Sequence, residues 1–355
     1  MTLLDGITSR RIRTTRLEVN ILERAGDDAS APPERTVVLV HGNVSSALFW
    51  QETMLGLPAE LRVIAVDLRG FGDTDPEPVD ATRGVADYAD DVRATLAALQ
   101  IERAHLVGWS LGGGVVLQCL IDAPSTFASV TLVNPVSPFG FGGTSGPDGT
   151  PVEPVGLGSG GGTANPGFIA QLAAGDRSAD SPLSPRNVLL AHYVKPPFVP
   201  DGLDTLVESM LSTRLGEDHY PGDFTVTDVW PGVLAGGRGV LNTISPNNFR
   251  LDDLPALAVK PPILWVRGGD DVIVSDTSLY DFARLGELGV VPGWPGPQAY
   301  PVQPMVSQTR AVLEEYAAAG GAYREVEIAG TGHSPFLEKP AEFLAALTAT
   351  LDSAG

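Results

Sequence analysis

The chain has 355 residues, 43 acidic against 23 basic, for a formal charge of −20, and its basic residues are dispersed instead of gathered into a stripe. That balance excludes an electrostatic partnership with nucleic acid or an anionic membrane, while the length suffices for one large domain or a core with a sizeable insertion. A single cysteine, Cys119, and no CxxC or His-rich spacing leave neither an intrachain disulfide framework nor a metal motif, and no cofactor is expected.

At the start, Met1-Thr2-Leu3-Leu4-Asp5-Gly6 runs into Arg10-Arg11-Ile12-Arg13 without an apolar h-region. Neither a secretory signal nor a membrane span is expected, and the cytoplasm is the default location. Residues 11–25 alternate apolar and polar, which predicts half-exposed strand in an antiparallel edge pair. A polar turn at Gly26-Asp27-Asp28 and a linker at Ala31-Pro32-Pro33 lead to Thr36-Val37-Val38-Leu39-Val40, apolar on both faces and so a buried parallel strand. It ends in His41-Gly42-Asn43, before a possible helix at 47–51.

Leu61 to Asp67 predicts another buried strand, followed by Leu68-Arg69-Gly70-Phe71-Gly72-Asp73, and apolar side chains recur at helical spacing over residues 85–99. His105-Leu106-Val107-Gly108-Trp109-Ser110-Leu111-Gly112-Gly113 then places GxSxG between an apolar run and a helix-compatible segment. Such a turn holds its serine in a strained backbone conformation, with glycines where strand and helix pass closely. Cys119, in the helix that follows, reads as a core side chain. Ser129 to Val133 gives one more strand, ending at Asn134-Pro135. Strands alternating with helices predict a parallel sheet covered on both faces.

Residues 138–166 are rich in glycine and proline and read as a mobile or irregular loop that cannot pack. With helix candidates at Phe168–Ala174 and Leu203–Leu211, residues 136–258 are taken as an inserted cap, leaving 1–135 and 259–355 as the core domain. The sheet resumes at Pro262 to Arg267, before Gly268-Gly269-Asp270-Asp271-Val272-Ile273-Val274. A second irregular insertion surrounds Pro292 to Pro297, and a helix at 306–319 follows it. A last strand, Tyr323 to Ile328, leads to Gly332-His333-Ser334 and a terminal helix at 341–352.

Four motifs in this order, His41-Gly42-Asn43, Asp67-Leu68-Arg69-Gly70-Phe71-Gly72-Asp73, Gly108-Trp109-Ser110-Leu111-Gly112, and Asp271 then His333, resemble the α/β-hydrolase superfamily in its capped serine esterase and lipase-like branch. The resemblance implies an α/β-hydrolase fold: a mostly parallel twisted sheet, helices on both faces and an inserted cap domain. It also implies a catalytic triad, because a serine hydroxyl needs a base. Of five histidines, His105 opens the elbow strand, His41 belongs to a turn, and His192 and His219 lie in the cap; His333 follows the last strand and is the base. The third member is Asp271, in register with the GxxDxxV usual in related enzymes, with its neighbour Asp270 as the alternative; the position after the preceding sheet strand, used by some relatives, is Asn134-Pro135.

The oxyanion hole is expected from the backbone N–H groups of Leu111 and Asn43, with Val44 as the alternative second donor. His41, Asp67, Arg69 and Asp73 are assigned to architecture, and Trp109 and Val44 to the substrate pocket. His41-Gly42-Asn43 is similar to haloalkane dehalogenase loops, but those enzymes, like epoxide hydrolases, need an aspartate where Ser110 stands. The expected reaction is hydrolysis of an apolar small-molecule ester or lactone through an acyl-enzyme. C–C bond hydrolysis, amide hydrolysis and acyl transfer use the same triad, and a non-catalytic binding protein is the alternative of another class. Cap residues Phe198, Tyr220, Trp230 and Phe249 suggest a bulky apolar group, and a homodimer is the assembly considered.

Overall fold

The computed structural model describes residues 2–24 and 36–354; the turn at 26–28 and the linker at 31–33 lie outside the described residues. The expected alternation over 11–25 resolves into a hairpin, β1 (Ile7–Arg13) and β2 (Glu18–Arg24), paired antiparallel with Arg13 opposite Glu18. β3 (Thr36–Val40), β4 (Arg62–Val66), β5 (Ala104–Trp109) and β6 (Phe127–Val133) are buried at every position, as strands covered on both faces must be. β7 (Ile263–Gly268) and β8 (Tyr323–Ile328) complete an eight-stranded sheet in the order β1-β2-β4-β3-β5-β6-β7-β8. From β4 to β8 every pairing is parallel, and β2 joins β4 antiparallel.

The helices are α1 (Gln51–Gly56, entered through a 3-10 turn at Ala47–Trp50), α2 (Ala86–Ala98), α3 (Leu111–Asp122), α4 (Pro166–Ala174), α5 (Pro185–Val188), α6 (Leu203–Leu211), α7 (Phe282–Glu287), α8 (Met305–Ala318), α9 (Pro335–Glu338) and α10 (Pro340–Ser353). α2 packs on α3, α1 packs on α10, and both groups flank the sheet. No helix among the described residues is long and apolar enough to cross a membrane.

Register aligns the carboxyl ends of the central strands, with Val40 beside Gly108, Trp109 beside Val133, and Val133 beside Val266. The strand order reverses between β3 and β5, and the carboxyl edge at such a reversal is the usual place for a ligand in an open α/β sheet. The loops after β3, β5, β6, β7 and β8 all leave from this edge.

Residues 136–258 depart between β6 and β7, yet Phe139, Leu189, Tyr193, Met210, Ile244 and Phe249 belong to the same buried cluster as the sheet. Much of the segment thus shares the sheet's core, while Val152 and Leu157 pack with Ala283 and Tyr300 in a second, small cluster. Within it, residues 138–166 differ from the expectation of an unpacked loop. They are irregular, but Phe139 and Leu157 are buried, and distant side chains satisfy their backbone groups. Gln303 accepts from Gly142 N at 2.6 Å and donates to Gly140 O at 2.9 Å, and Gln308 donates to Gly146 O at 3.0 Å. Gly140, at φ +90, has room for no Cβ, which would lie 2.7 Å from Ile244 O. The glycines here serve close packing as much as freedom of the chain.

Candidate active site

β5 delivers Ser110 to the carboxyl edge of the sheet with φ 57° and ψ −117°, outside the regions open to an ordinary L-residue. Three backbone bonds hold it there: Ser110 N donates to Val133 O at 2.9 Å, and Ser110 O accepts from Gly113 N at 2.9 Å and Val136 N at 3.1 Å. A Cβ on Gly108 would overlap Gly112 O, and one on Gly112 would overlap His41 O and lie 2.5 Å from Val40 O. Both flanking glycines are thus demanded by backbone approaching backbone.

His333 lies in the loop after β8 and is almost wholly buried. Its Nδ1 is 2.8 Å from Asp271 Oδ2, while Asp271 Oδ1 accepts from Ile273 N at 2.8 Å and Val274 N at 3.2 Å. A carboxylate facing Nδ1 makes that nitrogen the donor and leaves Nε2 with its lone pair. Asp270 points elsewhere, half exposed, with Oδ2 2.8 Å from Lys195 Nζ. The His333 carbonyl accepts from Trp109 Nε1 at 2.7 Å and Asn134 Nδ2 at 2.8 Å, so the histidine loop is stitched to the residue before Ser110 and to the end of β6. Asn134 Oδ1 in turn accepts from Gly268 N at 3.0 Å, closing the group of loops.

In the loop after β3, His41 Nδ1 donates to Gly42 O at 2.7 Å and Nε2 accepts from Leu68 N at 3.0 Å. Burial pushes the His41 pKa down to about 4, so the ring is a neutral brace, with its edge against Phe71. Ser45 Oγ also donates to Gly42 O, at 2.8 Å. Because C=O and N–H of a trans peptide point in opposite directions, this fixes the Asn43 N–H away from His41 and Ser45. Gly42 itself borders the elbow, where an added Cβ would lie 3.0 Å from Ser110 Cβ. Leu111, the first residue of α3, carries an N–H without an intrahelical acceptor at the positive end of the helix. Val44 stands at φ 45°, an outlier for a β-branched residue.

Trp109 is fully buried and stacked on Phe49 at 5.2 Å, and Val44 is 1% exposed. Of the aromatics noted in the inserted segment, Trp230 packs on Tyr300 and donates to Pro292 O at 2.9 Å, in a separate small cluster, and Phe249 lies against Gly114 in α3. Asp67 accepts from Ala47 N, Asn20 Nδ2 and Asp73 N at 2.7–3.1 Å, and Arg69 is buried in a fork on Asp91 at 2.6 and 2.9 Å. His105 Nδ1 lies 2.7 Å from Ser129 Oγ, and buried Cys119 bonds to Ala89 O at 3.6 Å. Among the described residues no cluster could hold a metal ion.

Two residues at the site had no reading from sequence. Tyr193 donates to Asn43 O at 3.0 Å and sets its ring edge-on to His333, with centroids 6.1 Å apart. Glu338 accepts from Lys195 N at 2.7 Å and from Gly332 N at 2.8 Å, and burial raises its pKa. Glu338 had a weak signal, an acid directly after the apolar Pro335-Phe336-Leu337 run that follows His333; Tyr193 had none.

A model of the Alpha/beta hydrolase family matches residues 37–347. RutD of Variovorax paradoxus strain S110, a candidate carbamate hydrolase, is 46% identical over 99 residues, 28% of this chain and 37% of RutD. The dihydrolipoyllysine-residue acetyltransferase component of an acetoin cleaving system from Cupriavidus necator is 38% identical over 107 residues, 30% of this chain and 27% of that protein. These matches thus span about a third or less of the relatives' own length. Among solved structures, an esterase from Rhodococcus sp. ECU1013 has a TM-score of 0.58 at 23% identity, covering 98% of this chain and 99% of its own. Carboxylesterase CesB from Bacillus subtilis has a TM-score of 0.57 at 15% identity, covering 98% and 92%. At such identities the likeness is one of fold.

Proposed function

The chain belongs to the alpha/beta hydrolase family, and we propose that it is a serine hydrolase in which Ser110 is the nucleophile, His333 the general base and Asp271 the residue that orients His333. The observation that carries this reading is the buried 2.8 Å contact between His333 Nδ1 and Asp271 Oδ2, in a loop tied through Trp109 to the strained serine. His333 Nε2 takes the proton as Ser110 Oγ attacks a carbonyl carbon. The resulting oxyanion is held by the N–H groups of Asn43 and Leu111. Collapse expels the alcohol, which receives its proton from His333, and water then repeats the sequence on the acyl-enzyme to release the acid.

The substrate we propose is an ester or lactone of an apolar small molecule, received beneath residues 136–258 acting as a cap. The partial match to RutD supports a second reading, cleavage of a carbamate or amide bond by the same residues. Intact-mass spectrometry after treatment with an alkyl fluorophosphonate tests the chemistry. The wild type is expected to gain one adduct that Ser110→Ala abolishes and His333→Ala suppresses; an unlabelled wild type would instead support a non-catalytic binding protein. p-Nitrophenyl esters of graded length, lactones, a carbamate and a diketone then separate the bond types, and turnover of none of the esters or lactones would sink the first reading.

A further inference from the structure

The loop that carries Asn43 is held from two sides, and only one of them belongs to the sheet. On the core side, His41 Nδ1 and Ser45 Oγ fix Gly42 O. On the other, Tyr193 of the inserted segment donates its phenol to Asn43 O at 3.0 Å and lies 3.5 Å from Val44 O. Those two carbonyls flank the Cα of Val44, so the hydroxyl spans the φ and ψ of the one loop residue at φ 45°. A β-branched side chain does not settle there unaided; such a conformation persists where surrounding contacts over-determine it.

Tyr193 is itself carefully placed. It closes a π-helical turn, Leu189–Tyr193, in which Val194 N donates to Leu189 O at 3.2 Å, and single π turns recur at functional sites. Its ring lies edge-on to Trp109 at 5.7 Å and to His333 at 6.1 Å, and tilted on Phe49 at 6.2 Å. Two residues on, Lys195 N and Gly332 N share the carboxylate of Glu338, and a Cβ on Gly332 would lie 2.9 Å from Lys195 N. The inserted segment is thereby clamped to the residue before His333.

We infer that Tyr193 is a positioning residue that sets the oxyanion loop, with Glu338 fixing it in register with His333. The inference rests on the serine-hydrolase reading, since it assigns the Asn43 N–H to the developing oxyanion. It places part of the preorganisation of the core's active site in the inserted segment. A donor that stabilises the oxyanion acts on the transition state and hardly on the bound ester.

The test is Tyr193→Phe, which keeps the ring and its packing and deletes the hydroxyl, read with a saturable fluorophosphonate at increasing concentration. Losing a whole oxyanion donor costs about 10²–10³ in rate. A donor loosened but still present is expected to lower the maximal inactivation rate by about 10-fold, with the inhibitor's half-saturation concentration unchanged within about 2-fold. The melting temperature stays within about 2 °C, as for one hydrogen bond in a large domain. An unchanged inactivation rate in a protein whose wild type is labelled overturns this inference alone, as does a loss confined to half-saturation, which marks a substrate contact. A wild type that takes no label overturns the serine-hydrolase reading and this inference with it. Glu338→Gln provides a second variant and is expected to lower the same rate constant by a smaller factor.

Discussion

Replacing Asp271 by asparagine perturbs one hydrogen bond without changing the shape of the side chain, and the surroundings dictate how the amide sits. Ile273 N and Val274 N both donate to Asp271 Oδ1, so the amide oxygen must stay on that side and the NH2 group must face His333 Nδ1. The imidazole can then only accept at Nδ1, which puts its proton on Nε2 and removes the base proposed for Ser110. In a serine protease, the same exchange of tautomer costs about 10⁴ in turnover. A fall of about 10³–10⁴ in kcat/KM, some 4–5.5 kcal/mol of transition-state stabilisation, is therefore expected here. Stability should hardly change, because the side chain fills the same volume and keeps its backbone bonds. Asp270→Asn is the control: its pair with Lys195 is exposed at 46% and 41%, and such a pair contributes about 0–1 kcal/mol. Activity on a p-nitrophenyl ester should stay within about 3-fold, in line with that small energy. Asp271→Asn retaining more than about a tenth of wild-type activity, where about 10⁴ is at stake, or Asp270→Asn falling as far, would refute the assignment.

Gly112→Ala should cost about 3 kcal/mol or more, and several degrees of melting temperature, because its Cβ would meet the backbone oxygens of His41 and Val40. Gly237→Ala, whose nearest new contact is Thr82 Cγ2 at 3.4 Å, should be close to neutral in the same thermal melt. His41 titrates near 6.5 when unfolded and near 4 when folded, so its contribution is fully present above pH 6.5 and is lost as pH falls towards 4. Urea titrations at several pH values should show His41→Gln losing less stability than wild type across that window, by up to about 3 kcal/mol, and parallel losses would contradict the neutral brace. Asn134→Asp should not rescue Asp271→Asn, since Asn134 Nδ2 faces the carbonyls of Gly332 and His333 and not the imidazole; recovered esterase activity in the double variant would overturn that geometry.

Several features could be read from the chain alone because each is a local requirement. Val37–Val40 and Val63–Val66 are continuous apolar runs, which suit a strand covered on both faces. Gly108 and Gly112 flank a serine, and the clash that forbids a Cβ at either lies within the strand, its helix and the neighbouring strand end. The period of Ala86–Ala98 and the late position of His333 are likewise properties of spacing and order. The choice of Asp271 over Asp270 came from a resemblance in register; in the structure Asp271 Oδ2 lies 2.8 Å from His333 Nδ1.

What spacing could not supply is which distant side chains meet. Residues 138–166 have the composition of an unpacked loop, yet Phe139 and Leu157 within them are buried, and Gln303 and Gln308, more than 160 positions away from Gly142 and Gly146, accept from or donate to their backbone. Trp109 and Val44 adjoin Ser110 and Asn43 in sequence, and both are buried, one stacked on Phe49 and the other at φ 45°, arrangements that position along the chain does not announce. Tyr193 reaches the oxyanion loop across 150 residues through a π turn that no periodicity announces. The sequence by itself determined the sheet, the strained turn at Ser110 and the chain order of Asp271 and His333, because hydrophobic period and backbone clearance act over a few residues. Tertiary packing decided what surrounds them, because loop closure brings together groups whose separation along the chain carries no record of their meeting.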